Sequence, residues 1–342
     1  MNDKKSISLN EISNYRTVLF ALAIMMVVFH HLTFKFEQGI IGKAYSFLRV
    51  TGASGVDVFL FLSGLGCYYS FSANEDIWQF YKRRLLRIIP AFLIVAIPAY
   101  FITDIIVSGK TVFDYLLDVT LLSFWKNGGS DWYIAASLFL YLMFPIIYRL
   151  MKKGKLGLVC MLAVWLIICL AVYLIDNTWF QQTSRLWARI PVFLFGTMIG
   201  PAVKEGRVID RCKAFVLACI VFTMALGAEA VLALKGSEYA YSFVARLIYC
   251  PLAVSLVFIL ICLFSIFRLP PKQTVLCFVG GITLEIYMLN QRMINLCTFL
   301  GTKILGASLP LMLLWNVIGV MITIVLSVML SKLIQVMRKI LQ

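Results

Sequence analysis

Long apolar stretches separated by short polar ones dominate the chain. Ten of them, at 18–36, 55–73, 88–107, 132–150, 156–175, 187–203, 213–234, 244–267, 275–300 and 310–336, have about the length of a membrane-crossing helix, ~17–25 residues. A backbone in hydrocarbon must satisfy its own hydrogen bonds, and these runs are far too long for barrel strands. The pattern predicts an all-α polytopic transmembrane helix bundle of about ten spans. The stretch 111–125 is also apolar, but Asp114 and Asp118 interrupt it. It reads as a short interfacial or re-entrant helix, with an eleventh span as the alternative.

The distribution of bases orients the bundle. With the N-terminus in the cytoplasm, an even number of spans returns the C-terminus there. The inner side then holds 20 of the 31 Lys and Arg residues, the outer side holds 10, and Arg292 falls inside a span. This two-to-one excess is what the positive-inside rule requires, and the reverse orientation would break it. No loop is long enough for a soluble domain and no internal repeat is evident. Residues 1–342 therefore read as a single integral membrane domain with a short cytoplasmic segment, 1–14. The first apolar run is too long for a cleavable signal and no small-residue cleavage site follows it.

Composition agrees with that class and removes others. Hydrophobic residues make up 62% of the 342 positions and charged residues 14%, and mean hydropathy is +0.93. A soluble domain of this size needs more polar surface. The net charge of +15 does not signal nucleic acid, because the bases lie in short loops rather than on one soluble face. The nine cysteines are scattered without metal-site spacing and read as small hydrophobes.

Ionisable residues inside spans are costly unless paired, so each is a functional candidate. The only two histidines, His30 and His31, lie deep in the first span, with Arg16 at its cytoplasmic edge. Fourteen residues of helix put Arg16 and His30 ~21 Å apart and within ~40° of one azimuth, whereas His31 is turned the other way. Histidine suits proton transfer near neutral pH; a pore-lining or structural histidine is the alternative. A metal site is not expected, since adjacent helical residues diverge and no third ligand is evident.

Asp57 opens the second span in Gly55-Val-Asp-Val-Phe-Leu-Phe-Leu-Ser-Gly64. It shares a depth with His30 and could orient or charge-pair an imidazole, or be merely interfacial. Phe80-Tyr-Lys-Arg-Arg-Leu-Leu-Arg-Ile-Ile-Pro90 brings Lys82, Arg83, Arg84 and Arg87 to the cytoplasmic mouth of the third span. Arg84 and Arg87 share a helix face, and such forks suit phosphates, although a topology determinant facing anionic lipid looks the same in sequence. In the ninth span Glu285 is expected to face the bundle interior, sharing a face with Arg292 but too far from it to pair. For Glu229 and Asp131, near outer ends, solvation serves as well as function.

Together these segments resemble the acyltransferase 3 family of membrane O-acyltransferases. The likeness rests on arginine and histidine in the first span, on Gly55–Gly64 against G-V-D-x-F-F-x-L-S-G, and on Phe80–Pro90 against F-x-x-R-R-x-x-R-I-x-P. Trp132-Tyr133 to Phe144-Pro145 and Leu284-Glu-Ile-Tyr-Met-Leu289 add later segments. The resemblance implies a multi-pass protein of the plasma membrane, in a bacterial cell, that moves an acyl group from cytoplasmic acyl-CoA to a hydroxyl of a sugar or cell-surface glycan. It implies that His30 is the base, that Arg84 and Arg87 handle the donor, and that acyl-CoA, acetyl-CoA foremost, is a co-substrate rather than a bound cofactor. Expected partners are membrane lipids, the donor and a hydroxyl-bearing glycan or small-molecule acceptor, with oligomers allowed.

In that scheme CoA phosphates stay near Lys82, Arg83, Arg84 and Arg87, with Arg16 a further donor-site candidate, while the pantetheine arm threads towards His30. Asp57 or Glu285 would steady the imidazolium; an acyl-histidine relay is a second form. Two departures from the family pattern stand out. Thirteen residues separate Arg16 from His30 where the family usually has ten, and Asn290 stands where the family often has a second histidine. The rival function is a transporter or flippase for a glycan or lipid-linked precursor; a structural partner subunit is the third.

Overall fold

The computed structural model describes residues 5–34, 36, 39–129, 131–272, 274–306 and 308–341. Lys4 and Lys35, counted above among the loop bases, lie outside the described residues. The chain is a helical bundle, and each of the ten apolar segments is helical. Among the described residues, eight helical segments are long and apolar enough to cross a membrane. The other two of the ten are the Arg16–His31 helix, short at 16 residues, and the stretch that carries Glu285 and Arg292.

Helix starts follow local chemistry. The carboxylates of Asp76, Asp176 and Asp210 accept from the backbone N–H of Gln79, Trp179 and Lys213, at 3.0, 2.9 and 2.8 Å, and the Ser242 hydroxyl accepts from Ala245. Each satisfies an orphan donor of a first turn. Because Asp76 caps it, the helix of the third span begins at Ile77 rather than near 88 and runs to Tyr100. Lys82 to Arg87 thus stand on a helix, not in a loop. Past Pro98 the helix widens into a π-helical stretch, Phe101–Val107, that buries Asp104. Residues 111–125 fold mainly as two short helices, Val112–Val119 and Leu122–Asn127, each too short to span.

Three features were not expected from the sequence. A helix, Ile40–Thr51, leads into the Gly55–Ala73 helix. The 275–300 segment breaks at Ile282 into Thr274–Gly281 and Thr283–Leu305. Strand Ser6–Ser8 pairs antiparallel with Val208–Asp210, which pins the first segment to a distant loop.

The Gly55–Ala73 helix is the axis of the bundle. Ile40–Ala73 is 94% buried over its most apolar window, against 11% for Lys155–Ile175, whose side chains face outward as lipid-facing residues would. Gly55–Ala73 packs backbone to backbone against Ile190–Met198. A Cβ at Gly196 would meet the Phe61 carbonyl, and one at Gly64 would meet that of Phe193. Close helix approach through small residues is how membrane helices gain dispersion contact. Gly196→Val should therefore lower the thermal midpoint in detergent, since overpacking costs ~1–3 kcal/mol. Gly227→Val, where a Cβ meets nothing within 4 Å, should leave it unchanged. Equal midpoints for the two variants would refute this packing.

Arg16–His31 packs against this axis and against the Thr274–Gly281 and Thr283–Leu305 helices. Just past the histidines, the Thr33 N–H donates to Asn316 Oδ1 at 2.8 Å, which ties the end of the first helix to the last one. Arg49 Nη1 donates to the Leu32 carbonyl at 3.0 Å and holds the same end from the other side. The two histidines therefore sit on a braced helix end.

Candidate functional site

The Arg16–His31 helix connects two cavities at opposite depths. At its Arg16 end is a small pocket of about 60 Å³ that Arg16, Arg84 and Arg87 line together with aromatic rings and the Ser63, Ser137 and Thr283 side chains. Arg84 Nη2 donates to the Gly66 carbonyl at 2.7 Å, and its guanidinium lies 5.3 Å from the Tyr141 ring centre. Gly66 also makes room for Arg16, whose guanidinium a Cβ there would strike. Arg16 lies 5.2 Å over Phe20, and its buried Nε has no hydrogen-bond partner among the described residues. The thirteen-residue gap thus does not remove Arg16 from the basic cluster. Lys82 and Arg83 are on the exposed face of their helix and do not line the pocket. One sequence run is split: half-buried Arg84 and the more exposed Arg87 line the pocket, and distant Arg16 joins them.

At the other end is a much larger cavity of about 1190 Å³, with His30 and His31 in its wall. It reaches the surface near Asp114 and Lys126, whose side chains are 42% and 57% exposed. The rings of His30 and His31 are 5.3 Å apart and tilted by 55°. His30 Nδ1 lies 2.8 Å from the Arg49 carbonyl oxygen, which can only accept. Nδ1 therefore carries the proton, and Nε2 holds the lone pair of the neutral ring. His31 Nδ1 meets Asn290 Oδ1. The Asn290 amide is oriented by donating to the Ile286 and Tyr287 carbonyls at 2.9 and 2.8 Å, so its oxygen accepts and His31 takes the same tautomer.

Asp57 is not the partner of an imidazole. It is wholly buried, and its Oδ2 accepts from Arg189 Nε at 3.1 Å. That guanidinium also lies 4.7 Å over Trp132 and donates to the Arg185 carbonyl. Shared depth brought Asp57 and His30 to one level, but Asp57 turns towards the Ile190–Met198 side. Glu285 is buried in the first turn of Thr283–Leu305, and neither cavity includes it in its lining. It too stands apart from the histidine wall, because the helix break at Ile282 puts it two residues inside a new helix start.

The remaining wall is strongly polar. Arg292 forks onto Asp131 at 3.2 and 2.6 Å, and Tyr100 donates to the same carboxylate at 2.6 Å. Asp131 and Arg292 thus make one ion pair across 161 residues. Lys110 pairs with Asp104 at 3.0 Å and Asp118 at 3.3 Å, and the hydrogen bond to Asp104 leads in holding its ammonium above the usual lysine range. Tyr287 lines both cavities, and its ring centre is 4.7 Å from that of Tyr133 in the Arg16-end pocket. Tyr287 is thus the side chain that the two linings share.

Residues 19–332, nearly the whole chain, match a family profile described as an acyltransferase domain. The chain belongs to the acyltransferase 3 family. Acyltransferase MdmB of Streptomyces mycarofaciens is 27% identical over 126 residues, 33% of each chain. That match spans a third of the relative's length. No solved structure matches.

Several polar residues of this acyltransferase domain escape a sequence reading. Arg185, Arg189 and Arg246 look like outer-loop bases, yet all three turn into the histidine cavity. The available signal was position: Arg185 stands in the last turn of Asn177–Trp187, Arg189 four residues on precedes the Ile190–Met198 helix, and Arg246 stands in the first turn of an apolar helix. Asn290 was visible as a departure from the family pattern, and its contact with His31 gives that departure a physical role. Among the described residues no group of His, Cys, Asp and Glu is arranged to hold a metal ion.

Proposed function

We propose that this membrane protein transfers an acetyl or other short acyl group from cytoplasmic acyl-CoA to a hydroxyl of a sugar, glycan or other cell-envelope acceptor, with His30 as general base. The observation that carries the reading is the pairing of cavities. A three-arginine pocket and an open, histidine-walled cavity share Tyr287 in their linings. A two-substrate transfer across a membrane calls for such an arrangement, with an anionic donor on one side and an aqueous acceptor on the other.

The pocket at the Arg16 end holds about 60 Å³, room for a slender chain but not for a nucleotide. The CoA nucleotide would therefore stay outside, near exposed Lys82 and Arg83, while the pantetheine arm passes Arg16, Arg84 and Arg87. The thioester would reach the histidines once Tyr287 and Tyr133 yield. His30 Nε2 takes the proton of the acceptor hydroxyl as its oxygen attacks the thioester carbonyl. The carbon–sulfur bond breaks, and the CoA thiolate recovers the proton from the imidazolium. The Arg49 carbonyl, rather than Asp57 or Glu285, steadies that imidazolium through Nδ1–H. The basic end would face the cytoplasm of a bacterial cell, in the plasma membrane.

The test is acetyl-CoA binding by the purified protein in detergent. The wild type should bind, and Arg84→Ala and Arg16→Ala should each weaken binding by about 10- to 100-fold, the range for a lost charge-assisted hydrogen bond. Exposed Lys82→Ala should have a smaller effect. Absence of acetyl-CoA binding by the wild type would end the proposal and favour a transporter.

A further inference from the structure

Charge in the histidine cavity does not balance. Most of its ionic side chains are matched: Lys110 by Asp104 and Asp118, Arg292 by Asp131, Lys126 by Asp114 at 4.0 Å, and Arg189 by Asp57. Arg185 and Arg246 are not. Arg185 Nη2 donates to the Gly128 carbonyl at 2.7 Å, and Arg246 Nη1 to the Ser184 hydroxyl at 2.6 Å. Both acceptors are neutral, and among the described residues no carboxylate pairs with either arginine. A guanidinium has five N–H donors, so each retains several for a ligand.

These two charges are also neighbours. Arg246 bonds the residue adjacent to Arg185, and both lie close enough to Arg189 for mutual repulsion. Three guanidiniums thus share one stretch of cavity wall, and the one carboxylate paired with any of them, Asp57, is buried behind Arg189 and does not line the cavity. Neither Arg185 nor Arg246 is fully solvated. Partly desolvated like charges are expensive to hold together, and an anion recovers that cost through charge-assisted, often bidentate hydrogen bonds.

Resting on the acyl-transfer reading above, we propose that Arg185 and Arg246 form an anion subsite, so that the acceptor is a hydroxyl compound carrying a carboxylate or phosphate. The anion docks on the arginine pair and presents the hydroxyl towards His30 Nε2. Neutral sugars would reach the cavity but lack this hold.

The experiment uses purified protein in detergent at constant ionic strength, with thermal unfolding read against inorganic phosphate, acetate or chloride. A ligand that binds only the folded protein raises the midpoint. Phosphate or acetate should raise it more than chloride does, and whichever is stronger tells a phosphorylated acceptor from a carboxylated one. In Arg185→Gln/Arg246→Gln the anion response should need at least tenfold more anion. Arg185→Lys/Arg246→Lys should restore part of it, and exposed Lys153→Gln should leave it intact. Without anion the double Gln variant should be no less stable than the wild type, because it relieves repulsion. No anion response in the wild type, or an undiminished one in the double Gln variant, overturns the proposal. Acetyl-CoA titrated into the same samples separates the two readings. Loss of its binding in the double Gln variant would assign the arginines to donor phosphates and overturn the acceptor subsite. A wild type that ignores acetyl-CoA yet keeps an arginine-dependent anion response would refute acyl transfer alone.

Discussion

His30→Ala should lower acyl transfer by ~10²–10⁴-fold, the usual contribution of a positioned general base, while thermal stability and acetyl-CoA binding stay near wild type. The expectation comes from the way the ring is held. The Arg49 carbonyl fixes the proton on Nδ1, and the lone pair on Nε2 is the one the acceptor needs. His31 is held in the same tautomer by a side chain rather than by the backbone, so Asn290→Leu should loosen His31 and leave His30 in place. His31→Ala and Asn290→Leu should both cost less rate than His30→Ala. If His31→Ala were the more damaging, the base would be His31 and the Asn290 contact its support. Full activity in His30→Ala would end the assignment. The assay must report kcat and acetyl-CoA affinity separately, because a lost base lowers turnover without loosening the donor.

The membrane bundle was legible in the apolar runs, since length and hydropathy decide whether a helix can lie in lipid. What hydropathy does not reveal is which face of a helix meets protein. Lys155–Ile175 and Gly55–Ala73 are both apolar, yet one faces mostly outward and the other is the bundle axis. The same blindness governs the site. Arg84 and Arg87 could be grouped by spacing, but that Arg16 joins them in a pocket while Lys82 and Arg83 stay outside it depends on how the helices pack, which the sequence does not display. Asp57 could be placed at the level of His30, but its partner Arg189 is 132 residues away and was counted as a loop base. Positive-inside counting treats every flanking base as solvated, so it conceals the bases that turn inward. The helix break at Ile282 has no proline or charge beside it, but the Gly280-Gly281 pair just before it is a breaker signal that an apolar run of spanning length overrides in a hydropathy reading.

The Asp57–Arg189 pair is where the largest stability effect is expected. Its side chains are 0% and 4% exposed, and one hydrogen bond joins them. Asp57 Oδ1 is buried without a partner among the described residues, so the pair is far from an ideal fork. Such a pair contributes little over a well-packed apolar substitute, but removing one member strands the other charge, at ~3–5 kcal/mol. Asp57→Ala should therefore sharply lower the unfolding midpoint in detergent. Because Arg189 also borders the water-accessible cavity, some of that cost can be recovered by water or an anion, which sets the expectation at the lower end. Asp57→Asn keeps an acceptor for Arg189 Nε and should fall between. Asp57→Ala/Arg189→Met removes both charges and should regain most of the lost midpoint, the non-additivity that marks a coupled pair. Added phosphate should raise the Asp57→Ala midpoint more than that of the double variant, since only the former has a third unmatched guanidinium. If Asp57→Ala and the double variant unfold together, the pair is not coupled, and Asp57 serves the fold by some contact other than Arg189.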